Sequence, residues 1–306
     1  MAALNSPVKG APGFLGQIWK WGAFVKFSHT IFALPFALAA MIVAARETHG
    51  WPGWRQLLLI LGAMVCARTC AMSFNRIVDR DFDRQNPRTS MRHLPTGEVS
   101  LASAWLLCIL SGLGFMGASY LLRPLCFYLS PVALLIICGY SLTKRYTDYT
   151  HFYLGVALAV APVGAWLAVR GSLSWSILVL AVAVVFWLVG FDIIYALQDY
   201  EFDRRHGLHS LVVAWGVENA LKAAFLAHML MWGLLFLFGL LSGFRVAYTV
   251  GLVIILGCLV LEHWLARKRS LKWINVAFFR LNALVSMVFL LVTLCEVLFP
   301  WRRLLQ

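Results

Sequence analysis

Long apolar runs recur along almost the whole chain, and they limit the folds that it can adopt. Most approach the roughly 20 residues that an α-helix needs to cross the hydrocarbon of a bilayer. They predict nine spans, at residues 24–46, 54–77, 101–121, 125–142, 151–169, 174–197, 217–241, 246–266 and 275–298. Charged residues make up 13% of the chain, whereas a soluble domain carries about 25%. The sequence therefore predicts an all-α, polytopic integral membrane protein.

The formal net charge of +13 indicates membrane topology and not a nucleic-acid partner. Lysine and arginine are concentrated in alternate connections, beginning with the N-terminal segment. Because cytoplasmic loops carry the excess of these residues, we expect a cytoplasmic N-terminus and a C-terminus on the opposite side. Lys9 and Lys20 interrupt the N-terminal segment, and no small-residue cleavage site follows a short apolar core, so we expect no cleaved signal peptide.

The connections between the apolar runs are mostly short, and no low-complexity linker divides the chain. We therefore expect a single transmembrane domain over residues 1–306, with a cytoplasmic segment at 1–22. The longest connection, 78–100, contains Pro87 and Pro95, so a continuous helix is not expected there. Loops of this length in compact proteins are often functional.

Two acidic segments resemble each other. "DRDFDR" begins at Asp79 and "DYEFDR" begins at Asp199, an offset of 120 residues (199 − 79), and each lies at the cytoplasmic end of a predicted span. The offset corresponds to four helices, so both helices run in the same direction, as in parallel repeats. We therefore expect two similar halves, offset by four helices, around a central cavity.

Helical spacing places the polar side chains of each acidic segment on one face. The positions that share a face are Asn75, Asp79 and Asp83 in the first segment and Asp192, Tyr195, Asp199 and Asp203 in the second. Like charges on one face repel, and an aspartate inside a span costs about 2.5–3.5 kcal/mol. Mg²⁺ prefers oxygen ligands and is typically held by one or two carboxylates plus substrate phosphates. Two such faces across a cavity predict a site for Mg²⁺ and a diphosphate.

Other functional classes can also contain acidic residues at helix ends. The acids can be solvated and paired with neighbouring arginines, namely Arg76, Arg80, Arg84, Arg204 and Arg205. A cation transporter would use them as an ion path, although transporters usually bind near the midplane and these acids lie at one face. A membrane scaffold would tolerate substitution of both acidic faces. Two matched clusters at matching helix ends favour a site over these alternatives.

Several cations lie on the side of the acidic segments or inside a span. Arg68 lies in an apolar run, seven residues before Asn75 and so on the same helical face, where it would either neutralise Asp79 or bind an anionic group of a substrate. Four loop cations are either topology signals or phosphate ligands: Arg88, Arg92, Lys144 and Arg145.

Two other potential signals do not indicate a site. "GLGFMG" at 112–117 matches the GxGxxG pattern, but it lies in a predicted span with no preceding strand, so dinucleotide binding is not expected. The seven cysteines lie mostly in predicted spans and form no CxxC pair, which argues against disulfides and against a zinc site.

Four segments, in the same order, resemble the motifs of the UbiA-type intramembrane prenyltransferases. "NRIVDRDFD" at 75–83 looks like their NxxxDxxxD motif, and "DIIYALQDYEFD" at 192–203 looks like their second motif, YxxQDxxxD. "YSLTKRYT" at 140–147 resembles their YPxxKRxT loop, with Ser141 where proline is common. "NPRTSMRHLPTGEVS", from Asn86, resembles the loop after the first motif. The resemblance covers nearly the whole chain, and nine spans match the family's architecture.

The resemblance implies Mg²⁺-dependent transfer of a polyprenyl group from polyprenyl diphosphate to an aromatic or other acceptor. The positions that would form the Mg²⁺–diphosphate site, and take part in catalysis there, are Asn75, Asp79, Asp83, Asp199 and Asp203. The positions that would bind substrates are Arg68, Arg88, Lys144, Arg145, Tyr195 and Gln198, with Arg68 near the acceptor's carboxylate. Either Asp192 or a motif carboxylate would remove the acceptor's ring proton.

The segment "KFSHTIFALPFALA" at 26–39 is similar to members that act on hydroxybenzoate or in alternative menaquinone synthesis. The expected acceptor is therefore an aromatic acid, 4-hydroxybenzoate, in ubiquinone or menaquinone synthesis. A dihydroxynaphthoate, haem or a chlorophyll precursor is the alternative. The resemblance also implies a bacterial inner membrane as the location, and no obligatory protein partner is evident.

Overall fold

The computed structural model describes residues 13–26, 30–267, 274 and 276–299, and the regular structure within these ranges is helical. The α-helices are α1 (Phe14–Phe24), α2 (Thr30–Ala44), α3 (Trp54–Val78), α4 (Arg80–Gln85), α5 (Leu101–Leu122), α6 (Pro124–Thr143), α7 (Thr150–Arg170), α8 (Trp175–Ala196), α9 (Tyr200–Arg205), α10 (Leu211–Leu241), α11 (Val246–Ala266) and α12 (Asn282–Leu298). A π-helical turn, Val276–Leu281, precedes α12.

Eight helices in the described part of the chain are long and apolar enough to cross a membrane, which confirms the all-α membrane architecture. They are α3, α5, α6, α7, α8 with its continuation through α9, α10, α11 and α12 with the turn before it. The first predicted span, 24–46, corresponds to α2, an apolar helix of 15 residues. It is shorter than predicted mainly at its start, because Phe24 belongs to the end of α1 and Lys26 follows in the left-handed conformation. The long helices and α2 together give the predicted nine.

α1 lies within the N-terminal segment and adds a helix to those predicted from the apolar runs. Phe24 at its end is fully buried, in a cluster that includes Met72 of α3 and Leu94 and Val99 of the 78–100 loop. Burying an aromatic side chain of this size stabilises a contact by about 1.5–3 kcal/mol. α1 therefore holds the loop against the end of α3.

Helices that are consecutive in the sequence pack against one another from α5 to α8, and α3 packs on α5. α2 inserts between α7 and α12, where its buried alanines let the helix axes approach closely. Phe36 of α2 packs on Trp187 of α8 and on Phe289 of α12, with both ring centroids 4.8 Å away. This aromatic cluster joins the earlier helices to the last ones.

The two acidic segments have the same backbone geometry. α3 ends at Asp79 (φ −92°, ψ 3°) and the six-residue α4 follows, while α8 passes through a 3₁₀ turn to Asp199 (φ −103°, ψ 1°) and the six-residue α9 follows. Each predicted polar face is therefore interrupted at its central aspartate. The break leaves Asp83 and Asp203 buried, and both aspartates point away from solvent at equivalent positions of the repeat.

Candidate active site

The first acidic segment presents two aspartates that are held by different cations. The amide of Asn75 donates to Oδ2 of Asp79 at 2.8 Å, and Arg145 of the α6–α7 connection lies 3.5 Å from Oδ1 of Asp79. Nη1 of Arg92 donates to both oxygens of Asp83, at 2.7 and 2.8 Å. The loop after the first motif and the α6–α7 connection thus converge on the end of α3.

The second acidic segment is held by the same two connections. Nε of Arg88 donates to Oδ1 of Asp199 at 2.8 Å, and Nη2 donates to Oδ2 of the same carboxylate. Nη1 of Arg88 donates to the hydroxyl of Tyr195 at 3.0 Å. Nζ of Lys144 donates to Oδ2 of Asp203 at 3.1 Å. Arg88 and Lys144 therefore tie the 78–100 loop and the α6–α7 connection to α8 and α9.

Burial and neighbouring charges together shift the pKa values of the site residues. Burial raises the pKa of Asp79 to about 6, and the neighbouring charge of Asp83 acts in the same direction while Arg145 opposes it. Burial alone would lower the pKa of Arg88 and of Lys144, but their contacts with Asp199 and Asp203 outweigh it, and both pKa values are raised. The site thus contains strongly held cations beside an aspartate whose negative charge is incompletely compensated.

A second group of cations lies behind the first motif. Burial lowers the pKa of Lys26 to about 7, and four arginines add to the effect: Arg92, Arg76, Arg88 and Arg68. Nη1 of Arg76 is buried and has no hydrogen-bond partner in the residues that the structure describes. Such a concentration of positive charge favours an anion at this place.

The donor set fits Mg²⁺. The functional oxygens come from four carboxylates and one amide, and oxygen is the ligand that Mg²⁺ prefers. Among the described residues, no three His, Cys, Asp or Glu side chains lie close enough to share one metal ion. Each segment instead supplies a pair, and one or two carboxylates per ion suffice when a substrate supplies phosphate oxygens. Asn75, Asp79, Asp83, Asp199 and Asp203 are therefore the residues that would hold the metal.

A cavity of about 520 Å³ lies between α2, α3, α5, α6, α7 and α8, on the membrane side of this site. Arg68 and Tyr140 line the end nearer the acidic segments, and alanine, valine, leucine and isoleucine line most of the remainder. Nη2 of Arg68 donates to the carbonyl of Lys26 at 3.4 Å, but its Nε is buried without a hydrogen-bond partner within the described ranges. The cavity can therefore hold an apolar chain with an anionic group at its polar end.

The structure brings the other predicted residues to the same region. Tyr195 stacks beneath the guanidinium of Arg88, which lies 5.3 Å from its ring centroid. Gln198 lies half-buried in the 3₁₀ turn before Asp199. Asp192 faces the start of α7, where His151 Nδ1 lies 2.7 Å from its Oδ2. None of the predicted site residues lies in a distant part of the fold.

The interpretation of the acids as solvated helix ends holds for only two of them. Asp81 is exposed and pairs with Arg80, and Glu201 is exposed and pairs with Arg204 and Arg205. Asp83, Asp199 and Asp203 are buried, and their closest cations are Arg92, Arg88 and Lys144, which come from other connections. Arg76 approaches Asp83 only at 3.9 Å.

Three residues near the site are not among the site residues predicted from the sequence: Lys26, Tyr140 and His151. Each is a polar residue in or beside an apolar run, which is a general signal for function in membrane proteins. His151 is the clearest case, because its side chain is fully buried one residue into α7. The signal does not say which partner such a residue has.

Comparison with known proteins gives the same architecture. Residues 33–284 match the UbiA prenyltransferase family. The 4-hydroxybenzoate octaprenyltransferase of Pseudomonas aeruginosa strain LESB58 is 32% identical over 226 residues, which are 72% of this chain and 74% of that protein. The enzyme of the same description from Stutzerimonas stutzeri is 32% identical over 238 residues, 76% of this chain and 77% of that protein.

Solved structures resemble the fold closely. The apo structure of a UbiA homologue from Aeropyrum pernix K1 is 31% identical, with a TM-score of 0.77 over 85% of this chain and 95% of that one. A UbiA homologue from Archaeoglobus fulgidus, bound to GPP and Mg²⁺, is 23% identical, with a TM-score of 0.68 over 90% of this chain and 99% of that one. At 23% identity, the likeness to the second structure concerns the fold alone.

Proposed function

The chain belongs to the UbiA prenyltransferase family, and we propose that it transfers a polyprenyl group from polyprenyl diphosphate to an aromatic acid, 4-hydroxybenzoate, in quinone synthesis. As an integral membrane prenyltransferase it is neither a transporter nor a scaffold. The observation that carries the proposal is the meeting of two aspartate pairs with cations from two loops, close to an apolar cavity whose lining includes Arg68 and Tyr140. That combination suits a substrate with a diphosphate head and a long hydrocarbon tail.

We assign binding of the diphosphate to the 78–100 loop and the α6–α7 connection, which meet at the two acidic segments. Lys144, Arg145 and Arg88 are the cations closest to the aspartates, and guanidinium groups bind phosphate oxygens bidentately. The aspartates and Asn75 would hold Mg²⁺, which would supply Lewis-acid and electrostatic stabilisation of the leaving diphosphate. Two structures of a UbiA homologue with this fold, from Archaeoglobus fulgidus, contain a prenyl diphosphate with Mg²⁺: GPP in one and DMAPP in the other.

The reaction breaks the bond between the prenyl C1 and the diphosphate oxygen, and its electron pair leaves with the diphosphate. An electron-rich ring carbon of the acceptor then forms a bond to C1, and a base removes the proton from that carbon. Water must be kept from the allylic cation. The apolar lining of the cavity, contributed by residues such as Ala133, Ile136 and Ala157, serves this purpose.

Arg68 is assigned to the acceptor's carboxylate. It lines the cavity, and its buried Nε is unpaired within the described residues, so a carboxylate there supplies the missing acceptor. The names of the relatives favour 4-hydroxybenzoate. A dihydroxynaphthoate carries the same carboxylate and is the second candidate.

The proposed location in the cell rests on the charge distribution of the loops and on the membrane spans. We place the protein in a bacterial inner membrane, with the N-terminus and the site's loops in the cytoplasm and the C-terminus on the opposite side. The aspartates then face the compartment that contains Mg²⁺, and the cavity reaches into the bilayer that contains the prenyl tail.

The test is an assay of membranes that contain the protein, with labelled prenyl diphosphate and a panel of acceptors. The panel contains 4-hydroxybenzoate, 1,4-dihydroxy-2-naphthoate, and 4-hydroxybenzamide, which lacks the charge. We expect Mg²⁺-dependent transfer to 4-hydroxybenzoate and little to the amide. Transfer to the naphthoate alone would correct the acceptor, and no transfer to any aromatic acid would refute the proposal.

A further inference from the structure

His151 and Asp192 form an isolated pair beside the proposed site. Nδ1 of His151, at the start of α7, lies 2.7 Å from Oδ2 of Asp192 on α8. The histidine side chain has no solvent exposure, whereas 18% of the aspartate side chain is exposed. Nε2 of His151 is buried without a hydrogen-bond partner in the described part of the chain. The only polar group that the imidazole meets there is therefore the carboxylate.

Asp192 lies close enough to the polar residues of the cavity for its charge to act on one of them. Its charge acts on Tyr140, which lines the cavity together with Arg68, and on Lys144, which binds Asp203. Within the ranges that the structure describes, Oδ1 of Asp192 has no hydrogen-bond partner. One carboxylate oxygen is thus fixed by His151, and the other remains available.

Asp192 differs from the four motif aspartates in its partner. Asp79 and Asp83 pair with Arg145 and Arg92, and Asp199 and Asp203 pair with Arg88 and Lys144. No lysine or arginine among the described residues forms an ion pair with Asp192. A carboxylate held by a cation is a weaker base, because the cation stabilises its charged form. Asp192 is therefore the aspartate of this region whose charge is not stabilised by an ion pair with a lysine or arginine of the described residues.

We propose that His151 is a positioning residue that holds Asp192 for removal of the acceptor's ring proton, an assignment that rests on the proposed function. After the bond between C1 and the ring carbon forms, that carbon carries both the prenyl group and a hydrogen. Oδ1 of Asp192 takes the proton, and the electron pair of the C–H bond returns to the ring and restores its aromaticity. The diphosphate has already left with the electron pair of the C–O bond, so charge and atoms balance.

The contact also orients the imidazole. Nδ1 lies 2.7 Å from the carboxylate, and Nε2 has no hydrogen-bond partner within the described residues. The ring orientation is then set by this single bond and by the packing around it. The aspartate consequently cannot rotate freely toward Lys144, which would otherwise compete for it.

Two substitutions separate positioning from packing. His151→Leu keeps a side chain of comparable size but removes the donor, whereas His151→Asn retains an N–H near the position of Nδ1. We expect His151→Leu to lower kcat by about 10- to 100-fold, the usual cost of removing a partner that orients a reactive group. The KM values for both substrates should not change, because His151 contacts neither of them. His151→Asn should recover a large part of the lost kcat.

An isotope effect identifies the step. With the acceptor deuterated at the ring carbon that is substituted, His151→Leu should show a larger deuterium effect on kcat than the unsubstituted protein, because proton removal has become slower. All rates are divided by the amount of folded protein. Thermal unfolding in detergent checks that each variant is folded. Three results would overturn the assignment. They are a kcat of His151→Leu equal to that of the unsubstituted protein, an isotope effect that does not change in His151→Leu, and an equal loss of kcat in His151→Asn and His151→Leu.

The unsubstituted protein separates this proposal from the one on which it depends. If it transfers no prenyl group to any aromatic acid, the proposed function fails, and the role of His151 fails with it. If it does transfer and the histidine variants behave alike, only the role of His151 is refuted.

Discussion

Arg88 and Asp199 are 111 residues apart in the sequence and form a two-point contact, with Nε and Nη2 of the guanidinium each donating to one carboxylate oxygen. Asn86 of the same loop donates to Oδ1 of Asp199 at 3.1 Å. The contact joins the loop after the first acidic segment to the second segment. A diphosphate bound here would meet Arg88 already oriented.

Substitution of Arg88 tests whether its fork geometry matters. Lysine retains the charge but cannot donate from two fixed positions, so Arg88→Lys should lower kcat/KM for the prenyl diphosphate about tenfold, in keeping with the loss of about 1.5 kcal/mol for one hydrogen bond to a charged group. Arg88→Ala should lower it further. Full activity of Arg88→Lys would show that only the charge matters.

Removal of the motif carboxylates tests the metal assignment. We expect Asp79→Asn and Asp199→Asn each to lower Mg²⁺-dependent transfer by about 100-fold or more, as with loss of a major electrostatic stabiliser. Asp81→Asn and Glu201→Gln are matched controls in the same segments, because their side chains are exposed and pair only with exposed arginines. The measurement is prenyl transfer in membranes at several Mg²⁺ concentrations. Retained transfer in both motif variants would contradict the assignment.

Substitution of Arg68 separates binding from structure. Arg68→Ala should raise the KM for the aromatic acid by about 10- to 100-fold, since a hydrogen-bonded charge pair contributes about 1.5–3 kcal/mol, with a smaller effect on kcat. Arg55→Ala is the control, because Arg55 lies at the other end of α3 and donates to the carbonyl of Leu121. Steady-state kinetics with varied acceptor give the result. An unchanged KM in Arg68→Ala would make the arginine structural.

Filling the cavity tests whether it holds the prenyl chain. Gly164 of α7 lines the cavity, and a Cβ at this position would meet no atom within 4 Å, so Gly164→Leu places a side chain in open space. We expect weaker binding of long prenyl diphosphates, with a smaller loss for short ones. Gly233→Leu is the control, because Gly233 of α10 is equally free of neighbours but does not line the cavity. Equal effects of both variants would argue against occupation of the cavity by the chain.

Close packing between α8 and α10 predicts a stability effect. A Cβ on Gly190 would overlap the ring of His228, which cannot move away because it contacts the carbonyl of Trp187 at 3.2 Å and Nε2 of His263 at 2.9 Å. We expect Gly190→Ala to destabilise the protein by about 1–3 kcal/mol, the usual cost of overpacking a core. Gly62→Ala in α3 meets no atom within 4 Å and should be neutral or stabilising. Thermal unfolding of the solubilised protein measures both.

The sequence predicts the helices well because their signal is local. An apolar run of membrane length produces a span wherever it lies, and the predicted 246–266 agrees with Val246–Ala266 in the structure. The start of the first span is predicted less well, because Phe24 is as apolar as the residues of α2 although it ends α1. The 120-residue repeat is also local information, since each copy carries its own Phe–Asp–Arg sequence after an acidic residue, and the structure repeats the backbone break at Asp79 and Asp199.

The sequence alone thus determined the membrane class, the spans, the two acidic segments and the residue types at the site, because helix periodicity and bilayer thickness act over a few turns. The tertiary structure decided the partners: Arg88 for Asp199, Lys144 for Asp203 and His151 for Asp192. Each of these pairs joins two different elements of the chain, across 41 to 111 residues. Which cation reaches which carboxylate depends on how the helices pack, and that packing is the sum of contacts across the whole bundle.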